Sequence, residues 1–368
     1  MAKFFQRLKG YLPTQRRLIQ LYAALLHNAY IKGFITGNIY TGNGKMLCLP
    51  GLNCYSCPGS ISSCPLGALQ NAISSSGART PTYILGILML SGLILGRTIC
   101  GFLCPFGLIQ DLLHKIPTPK LRKNHFTRIL SYLKYVVLAV FVVIIPLWYG
   151  LQYYPVPAFC KYICPAGTLE GAVGLMSHPA NENLFAMLGT LFTRKFIILL
   201  IIIAACVFIY RAFCRFLCPL GALYGLFAKF AFIGVKVEQT KCTDCGRCVG
   251  ICPMDIKKVG DRECIHCGKC MSSCPTKAIS FKAGKITLHS PEIAYSTPEK
   301  KKVIRKKRII AWAFALLLLA GIMFWVHLPA PVKAKKSETP SVAPVQTTVP
   351  LQKPVMPALP IRLPNQQP

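Results

Sequence analysis

The chain has 368 residues, 53% of them hydrophobic, and a mean hydropathy of +0.46. Soluble proteins of this length are rarely so apolar, so the composition predicts that much of the chain lies in a lipid bilayer. The formal net charge of +32 could suggest nucleic-acid binding. However, the basic residues flank apolar segments instead of lining a polar domain with interleaved aromatic side chains, which argues against that function.

Five apolar segments are predicted to be membrane helices, since each is near the ~20 residues that a helix needs to cross a bilayer. They are residues 18–36, 81–96, 129–148, 196–213 and 309–328. Lys and Arg are concentrated in residues 1–17, 97–128 and 299–308, which predicts that these segments are cytoplasmic. Residues 37–80 and 149–193 hold few basic residues and are predicted to face the other side. No small-residue cleavage site follows the first apolar segment, so we expect an uncleaved anchor.

A Cys-Pro-x-Gly motif occurs four times among the first four apolar segments. Its cysteines are Cys64, Cys104, Cys164 and Cys218. Three copies have a second cysteine four residues earlier, at Cys100, Cys160 and Cys214. The first copy has Ser60 at that place and offers Cys54 and Cys57 instead. Since the copies alternate between the two predicted sides of the membrane, we expect a tandem repeat with halves at about residues 15–128 and 129–235.

Folding the halves together is predicted to group four thiols on the cytoplasmic side, which is a ligand set for a [4Fe-4S] cluster. This inner set is Cys100, Cys104, Cys214 and Cys218. The other side offers six candidates for an outer cluster, of which at least two are surplus: Cys48, Cys54, Cys57, Cys64, Cys160 and Cys164. The surplus cysteines could form a disulfide, and simple packing of small thiols in helical hairpins is the alternative for both groups. Cys206, alone in an apolar segment, is expected to be only a buried thiol.

Proline after each motif cysteine suits the first turn of a helix, where its missing N–H is not needed. The free N–H groups of that turn stabilise a thiolate and an anionic cluster. A membrane-spanning helix of ~20 residues is ~30 Å long, which is a long distance for one electron transfer. We therefore expect the Cys-Pro-x-Gly helices to be re-entrant, which is possible where the backbone is buried in protein.

Residues 242–275 contain CTDCGRCVGICP and CIHCGKCMSSCP, which are two runs of C-x2-C-x2-C-x3-C-P. This spacing is typical of bacterial ferredoxins with two [4Fe-4S] clusters, in which the fourth cysteine of each run binds the cluster of the other run. The first ferredoxin set is then Cys242, Cys245, Cys248 and Cys274, and the second ferredoxin set is Cys264, Cys267, Cys270 and Cys252. A zinc site would explain neither the third cysteine nor the trailing proline. Such thiolates need reducing conditions, which suggests an anaerobic or low-oxygen setting.

The predicted fold is thus an α-helical multi-pass membrane protein of about five spans with a cytoplasmic α+β ferredoxin domain. The membrane domain covers residues 1–235 and the ferredoxin domain residues 236–285. A basic linker at residues 286–308 leads into the last membrane helix, residues 309–328. Residues 329–368 are rich in proline and are expected to form a disordered tail outside the cell membrane.

The chain resembles the NapH/NosR-type membrane polyferredoxins, which include YccM-like proteins. The shared segments are RRLIQ at residues 16–20, CLPGLNCYSCPGS at residues 48–60, CGFLCPFGLIQ, CRFLCPLGALYG and the two ferredoxin runs, all within about residues 15–280. The resemblance implies a subunit that carries electrons across or along the bacterial cytoplasmic membrane toward extracytoplasmic respiratory reductases, in some members from quinol. A flavin domain of the NosR type and the C-x-x-C-H haem motif are both missing from the sequence. We therefore expect the terminal acceptor on another chain.

The sequence predicts electron transfer between a cytoplasmic donor, such as a ferredoxin or flavodoxin, and an extracytoplasmic or membrane acceptor, with no substrate chemistry and no catalytic residue. The alternatives are a quinol dehydrogenase subunit of a respiratory reductase system and a membrane redox sensor. His27 and His114 could hydrogen-bond a quinone or merely pack between helices. Residues 236–285 hold ten Lys/Arg and five Asp/Glu, which suits docking of an acidic carrier or attraction to anionic membrane lipid.

Overall fold

Most of the chain up to Leu328 can be described. The computed structural model describes residues 15–75, 81–121, 123–152, 155–186, 188–254, 256–284, 286–290 and 298–328. The proline-rich tail at residues 329–368, most of the basic N-terminal segment and part of the basic linker lie outside the described residues.

Helices form the larger part of the described structure. They are α1 Gln15–His27, α2 Lys32–Thr36, α3 Pro65–Ser75, α4 Thr82–Ile94, α5 Pro105–Leu113, α6 His125–Leu151, α7 Ala158–Tyr162, α8 Gly174–Met176, α9 Asn183–Ala186, α10 Thr190–Phe208, α11 Ala212–Phe216, α12 Pro219–Phe227, α13 Arg247–Ile251 and α14 Pro298–His327. Shorter 3₁₀ turns lie at Asn43–Met46, Pro179–Asn181, Gln239–Lys241 and Met271–Ser273. Wider π-helical turns lie at Ile99–Leu103, Leu138–Ile144 and Gly167–Val173. Such turns are rare in proteins, and those that do occur often lie at functional sites.

Three helices in the described part of the chain are long and apolar enough to cross a membrane. They are α6, α10 and the Arg308–His327 part of α14. Their side chains are largely exposed, as at Leu317, which is 72% exposed, and this suits contact with lipid. Helix α4 is apolar but has 13 residues. The prediction of five spans therefore has three matching helices, and the full count, the orientation and the re-entrant helices stay predictions.

The first predicted span is divided into two helices. Helix α1 ends at His27, whose carbonyl accepts a hydrogen bond from Ile61 N at 3.1 Å. Tyr30 N donates to Gly59 O, also at 3.1 Å. The backbone groups that would continue the helix are thus paired with the loop that leads to Cys64, and the chain turns before α2 begins at Lys32.

The repeat motifs lie in the centre of the packing. Helix α1 packs on the π turn that contains Cys100 and on α5. Helix α3 packs on the C-terminal part of α6, and α12 packs on the middle of α6 and on α4. The main cluster of buried residues includes Cys64, Cys164 and all four members of the inner set. The cysteine motifs are therefore part of the core.

A three-stranded antiparallel sheet carries the ferredoxin segment. Its strands are β1 Ile233–Val237, β2 Ile279–Ala283 and β3 Ile286–His289, in the order β1-β2-β3. Val235 lies opposite Phe281, and both cysteine runs lie between β1 and β2. Thr98 Oγ1 donates to Ile233 O at 3.1 Å, and the rings of Phe102 and Phe281 contact each other. The sheet is thereby attached to the π turn that holds Cys100.

Candidate iron–sulfur site

The second ferredoxin set is brought together by the fold. Burial and the thiols of Cys264, Cys267 and Cys252 together raise the pKa of Cys270 to about 12. Cys252 and Cys264 are buried. The last cysteine of the first run thus lies with the three leading cysteines of the second run, which is the arrangement that the spacing predicts.

The first ferredoxin set lies at a more open place. Its four cysteines line one cavity of about 760 Å³, and Cys245 is exposed. The same cavity is lined by basic side chains, among them Lys236, Lys257 and Lys258. This set therefore lies at the surface of the ferredoxin segment, under a basic rim.

Both ferredoxin runs use the same backbone turn. Asp244 and Gly246 in the first run have φ of 46° and 69°, and His266 and Gly268 in the second have φ of 51° and 77°. Alternating left-handed residues turn successive N–H groups toward one concave side, and such nests bind anionic iron–sulfur centres.

The inner set is a buried group of four thiols. Each of its cysteines is 4–7% exposed. Cys214 and Cys218 hydrogen-bond to each other, and burial together with the charges of Cys214 and Cys100 raises the pKa of Cys104. Gly221 N donates to Cys218 Sγ at 3.4 Å, so the first turn of α12 supplies an N–H group to this set.

Two arginines flank the inner set, and each extends from one predicted half of the repeat to contact the other half. Arg97 and Arg211 stand three residues before Cys100 and Cys214, and both are 0% exposed. Arg97 Nη2 donates to Cys214 O at 3.4 Å, while Arg211 Nη1 donates to Cys100 O. The exchange is reciprocal, as the tandem repeat requires.

The glycine of each inner motif makes room for the arginine of the other. A Cβ atom on Gly107 would lie 3.3 Å from Arg211 Nη1, and one on Gly221 would lie 3.4 Å from Arg97 Nη2. The glycine in Cys-Pro-x-Gly is therefore a contact position and not only a helix-start residue.

Carboxylates balance both arginines. Arg211 binds Asp111 at 2.7 Å, and Arg16 binds the same carboxylate at 2.6 Å. Arg97 binds Glu263 at 2.9 Å, and Lys134 Nζ donates to Glu263 Oε1 at 2.6 Å. Buried charges are tolerated only in such pairs. Each of these two carboxylates is thus paired with two cations beside the inner set.

A second group, the outer set, forms around the other two motifs. It consists of Cys54, Cys64, Cys160 and Cys164, because Cys54 and Cys64 act electrostatically on both of the others. Burial and these two thiols raise the pKa of Cys160 to about 12. Gly167 N donates to Cys164 Sγ at 3.3 Å, and Lys195 Nζ donates to Cys160 O at 3.1 Å.

Two of the six outer candidates lie outside this group. Cys57 is next to Cys54 and Glu170, and its N–H donates to Cys54 O at 3.1 Å. Cys48 pairs through its backbone with Ser63. None of the nineteen cysteines, all of which lie in the described residues, forms a disulfide bond. Of the three candidates that the sequence left open, Cys54 is the one that lies with Cys160 and Cys164, and its role as a ligand stays a prediction.

The sixth residue after each motif cysteine is polar, and in three of the four copies it reaches a cysteine of the partner copy. Gln110 Nε2 donates to Cys214 Sγ at 3.0 Å, and Gln70 Nε2 donates to Cys160 Sγ at 3.4 Å. Glu170 Oε2 accepts a hydrogen bond from Cys54 N at 2.7 Å. In the fourth copy this residue is Tyr224. These residues and both arginines are not among the site residues predicted from the sequence, although a polar side chain in the same place of four apolar helices is a visible signal.

The two histidines considered as quinone ligands lie in different surroundings. His27 Nδ1 contacts Ala23 O at 2.7 Å, and its ring is buried. His114 packs edge-on against Tyr210. Both contacts are within the protein, and a quinone at either histidine stays a prediction.

The donor sets suit clusters of several irons better than single ions. In the described part of the chain no three His, Cys, Asp or Glu side chains are close enough to hold one metal ion. The thiols lie instead in groups of four with nearby N–H donors, and thiols that raise one another's pKa need a cationic centre to become thiolates together. Four cysteines of this kind fit a [4Fe-4S] cluster.

Comparison with known families agrees with this chemistry. One family, described as a 4Fe-4S binding domain, matches residues 82–124, 135–179 and 191–237. Another with the same description matches residues 235–258 and 259–280. The first three stretches each contain one C-x3-C-P motif, and the last two each contain a ferredoxin run.

Several curated proteins are similar to about half of the chain. An uncharacterized protein of Methanocaldococcus jannaschii is 33% identical over 201 residues, which cover 53% of this chain and 74% of the relative. The putative electron transport protein YccM of Escherichia coli is 27% identical over 178 residues, 47% of this chain and 46% of YccM. The methylamine utilization ferredoxin-type protein MauN of Paracoccus denitrificans is 27% identical over 200 residues, 51% of this chain and 60% of MauN. No solved structure matches the chain. The resemblance stated from the motifs is confirmed, and the chain belongs to the family of 4Fe-4S polyferredoxins that includes YccM and the MauN proteins.

Proposed function

We propose that the protein relays electrons through four iron–sulfur sites in and beside a membrane. The two ferredoxin sets, the inner set and the outer set would each hold one [4Fe-4S] cluster. Such a cluster takes up and releases single electrons, with a potential set by its charge, its hydrogen bonds and its exposure to solvent. The names of YccM, a putative electron transport protein, and of MauN, a ferredoxin-type protein, are consistent with this function.

The observation that carries the proposal is the contact between the second ferredoxin set and the inner set. A Cβ atom on Gly101 would lie 2.2 Å from Ile265 O. The backbone beside Cys100 therefore touches the backbone beside Cys264 directly. The two segments that carry these sets thus pack directly on each other, which is the geometry that rapid transfer between them requires.

A buried ion pair holds the same contact in register. Arg97 bridges Glu263, the neighbour of Cys264, and the carbonyl of Cys214 in the inner set. Arg97 also donates to Arg262 O at 2.8 Å. Burial alone would raise the pKa of Glu263, but Arg97 and Lys134 hold it below its usual range. The ferredoxin segment is thus fixed to the membrane part by charges that stay paired at neutral pH.

The difference in exposure suggests where electrons enter. The first ferredoxin set lies under the basic rim of an open cavity, whereas the second is buried toward the inner set. We infer that an acidic carrier of the ferredoxin or flavodoxin type docks on this rim from the cytoplasm. Complementary charge accelerates such encounters and makes them sensitive to salt. The rate of reduction by a reduced ferredoxin should fall as ionic strength rises. This salt dependence should be weaker after Lys257→Glu. It should be unchanged after Lys32→Glu, which is the control.

The outer set would deliver electrons to an extracytoplasmic partner protein or a membrane acceptor. In this proposal the protein is a multi-pass component of the bacterial cytoplasmic membrane, in contact with lipid, and its ferredoxin domain is cytoplasmic. A quinol analogue that blocks oxidation of the reduced protein would instead favour the quinol dehydrogenase. A membrane redox sensor would transfer no electrons from the donor to an outer acceptor, so substitution of a cluster cysteine would not change such a rate.

Iron counting combined with EPR on the purified protein tests the proposal. The wild type should contain iron for four clusters, and Cys164→Ser should lose about four iron atoms per chain. Cys206→Ser is the matched control, because Cys206 is a buried thiol whose Sγ contacts Gln110 Oε1 at 3.6 Å and belongs to none of the four sets. Iron for only two clusters in the wild type would refute the membrane sites.

A further inference from the structure

A short segment of the loop before Cys54 lies between the inner and outer sets. Cys104 Sγ is 3.9 Å from Leu52 O. Leu52 is 2% exposed, and only Asn53 separates it from Cys54 of the outer set. The covalent chain thus leads from the surroundings of one set to a member of the other within two residues.

This segment, residues 50–52, is packed closely against the inner motif at Gly51 as well. A Cβ atom on Gly51 would lie 3.2 Å from Pro105 Cδ and 3.4 Å from Leu103 O, and Pro105 and Leu103 flank Cys104 in the sequence. The same Cβ atom would lie 2.9 Å from His27 Nε2. Gly51 therefore allows the segment to approach the inner motif closely.

Tyr224 holds the segment from the other half of the repeat. It is 0% exposed, and its hydroxyl donates to Pro50 O at 3.1 Å. Tyr224 is on α12, six residues after Cys218. Burial and the charges of three inner thiols and of Cys64 all raise the pKa of Tyr224. The phenol is therefore close to both sets at once.

We propose that residues 50–52 are the crossing between the inner and outer sites and that Tyr224 is the positioning residue that holds this crossing against Cys104. The inference rests on the proposed relay and adds its route. One electron leaves the inner site and one arrives at the outer site, and Tyr224 is neither oxidised nor reduced in between. Its part is to exclude water and to fix the Pro50 carbonyl.

Two substitutions separate the hydroxyl from the ring. Tyr224→Phe removes the hydrogen bond to Pro50 and keeps the packing, while Tyr224→Leu removes both. Tyr135→Phe is the matched control, because the Tyr135 hydroxyl is buried and has no hydrogen-bond partner among the described residues. We expect full iron content in Tyr224→Phe, with faster hydrogen–deuterium exchange at the amides of residues 51–54. Transfer from the inner to the outer site, followed by rapid-freeze EPR after reduction by ferredoxin, should slow severalfold in Tyr224→Phe and further in Tyr224→Leu.

The outcomes distinguish this inference from the relay itself. If the wild type holds iron for only two clusters, the relay fails, whatever Tyr224 does. If transfer in the wild type is fast and Tyr224→Phe changes the amide exchange without slowing transfer, the crossing lies elsewhere and the inference is wrong. Unchanged exchange and unchanged transfer in both variants would also overturn it. Iron lost from Tyr224→Leu but not from Tyr224→Phe leaves the hydroxyl test intact, because the Phe variant decides it.

Discussion

The inner and outer sets occupy equivalent places in the repeat, yet their surroundings differ. The inner set lies between two fully buried arginines that are paired with Asp111 and Glu263. At the outer set Pro157 stands where the arginines stand, and Lys195, which is only half-buried, supplies a cation. The outer set also has a surplus thiol, Cys57, beside it.

This difference distinguishes the features that hold a cysteine set from those that dock the ferredoxin segment. Both sets receive N–H groups from a helix start and a glutamine side chain from the partner motif, so these are the requirements of the cysteine set. The arginines are found only where the ferredoxin segment docks. Because cations stabilise the more negative, reduced state of a cluster, we expect the inner site to have the higher potential.

Removing an arginine should have the largest effect on this comparison. Arg211→Met leaves Asp111 with Arg16 as its remaining cation in a buried place, and breaking a buried pair in this way costs about 3–5 kcal/mol. Lys195→Met removes one hydrogen bond from a charged group to Cys160 O, which costs about 1.5–3 kcal/mol. Thermal unfolding in detergent, with iron retention measured on the same samples, should show the larger loss for Arg211→Met.

The exposed Arg128 provides the control for charge alone. Arg128→Met removes the same charge from the protein and should leave both unfolding and iron content close to those of the wild type. Equal losses for Lys195→Met and Arg211→Met would show that the two sets do not differ in the way described.

The glutamines should give a smaller, site-specific effect on potential. A hydrogen bond to a cluster sulfur stabilises the reduced state, so Gln110→Leu should lower the potential of the inner site and Gln70→Leu that of the outer site. At about 0.5–1.5 kcal/mol for one neutral hydrogen bond, and about 59 mV for each 1.4 kcal/mol in a one-electron couple, the fall is about 20–60 mV. It should be larger for Gln110, whose contact with sulfur is shorter.

EPR-monitored redox titration measures both potentials in each variant. Each variant is the control for the other, because the potential of the untouched site should stay at its wild-type value. A shift of both sites in either variant would indicate a general loss of packing and would contradict the assignment of one glutamine to one site.

The pairing of the motifs was accessible from the sequence because it follows from the repeat and from charge alone. Alternate motifs must lie on the same side if the basic loops are cytoplasmic, and the structure indeed groups Cys100 with Cys214 and Cys64 with Cys160. The crossing of the ferredoxin runs follows from spacing in the same way. These features depend on the order of elements along the chain.

What could not be derived depends on local turns and on contacts between the halves. Cys54 and Cys57 are three residues apart in one loop, and it is the tertiary position of Cys54 beside Cys160 and Cys164 that places it with the outer set. The place where the first predicted span ends depends on backbone bonds from His27 and Tyr30 to a loop thirty residues later in the chain. The exchange of Arg97 and Arg211 had a sequence signal, since both precede a motif cysteine by three residues, but their targets are tertiary contacts.

The smallest effect is expected for the surplus thiol, and it tests the choice of Cys54 most sharply. Cys57→Ser replaces a buried thiol whose sulfur accepts hydrogen bonds from the N–H groups of Gly59 and Ser60, and the serine hydroxyl can accept the same bonds. Iron content and the outer EPR signal should therefore stay at wild-type levels, with a stability change within about 1 kcal/mol.

Cys54→Ser, three residues earlier, should lose the iron of one cluster, because no other thiol lies against Cys64, Cys160 and Cys164. If Cys57 took the place of Cys54 on the iron, Cys54→Ser would keep its cluster with an altered EPR signal, and only the double substitution would lose it. The comparison of these three variants thus decides whether Cys57 can replace Cys54 in the outer set.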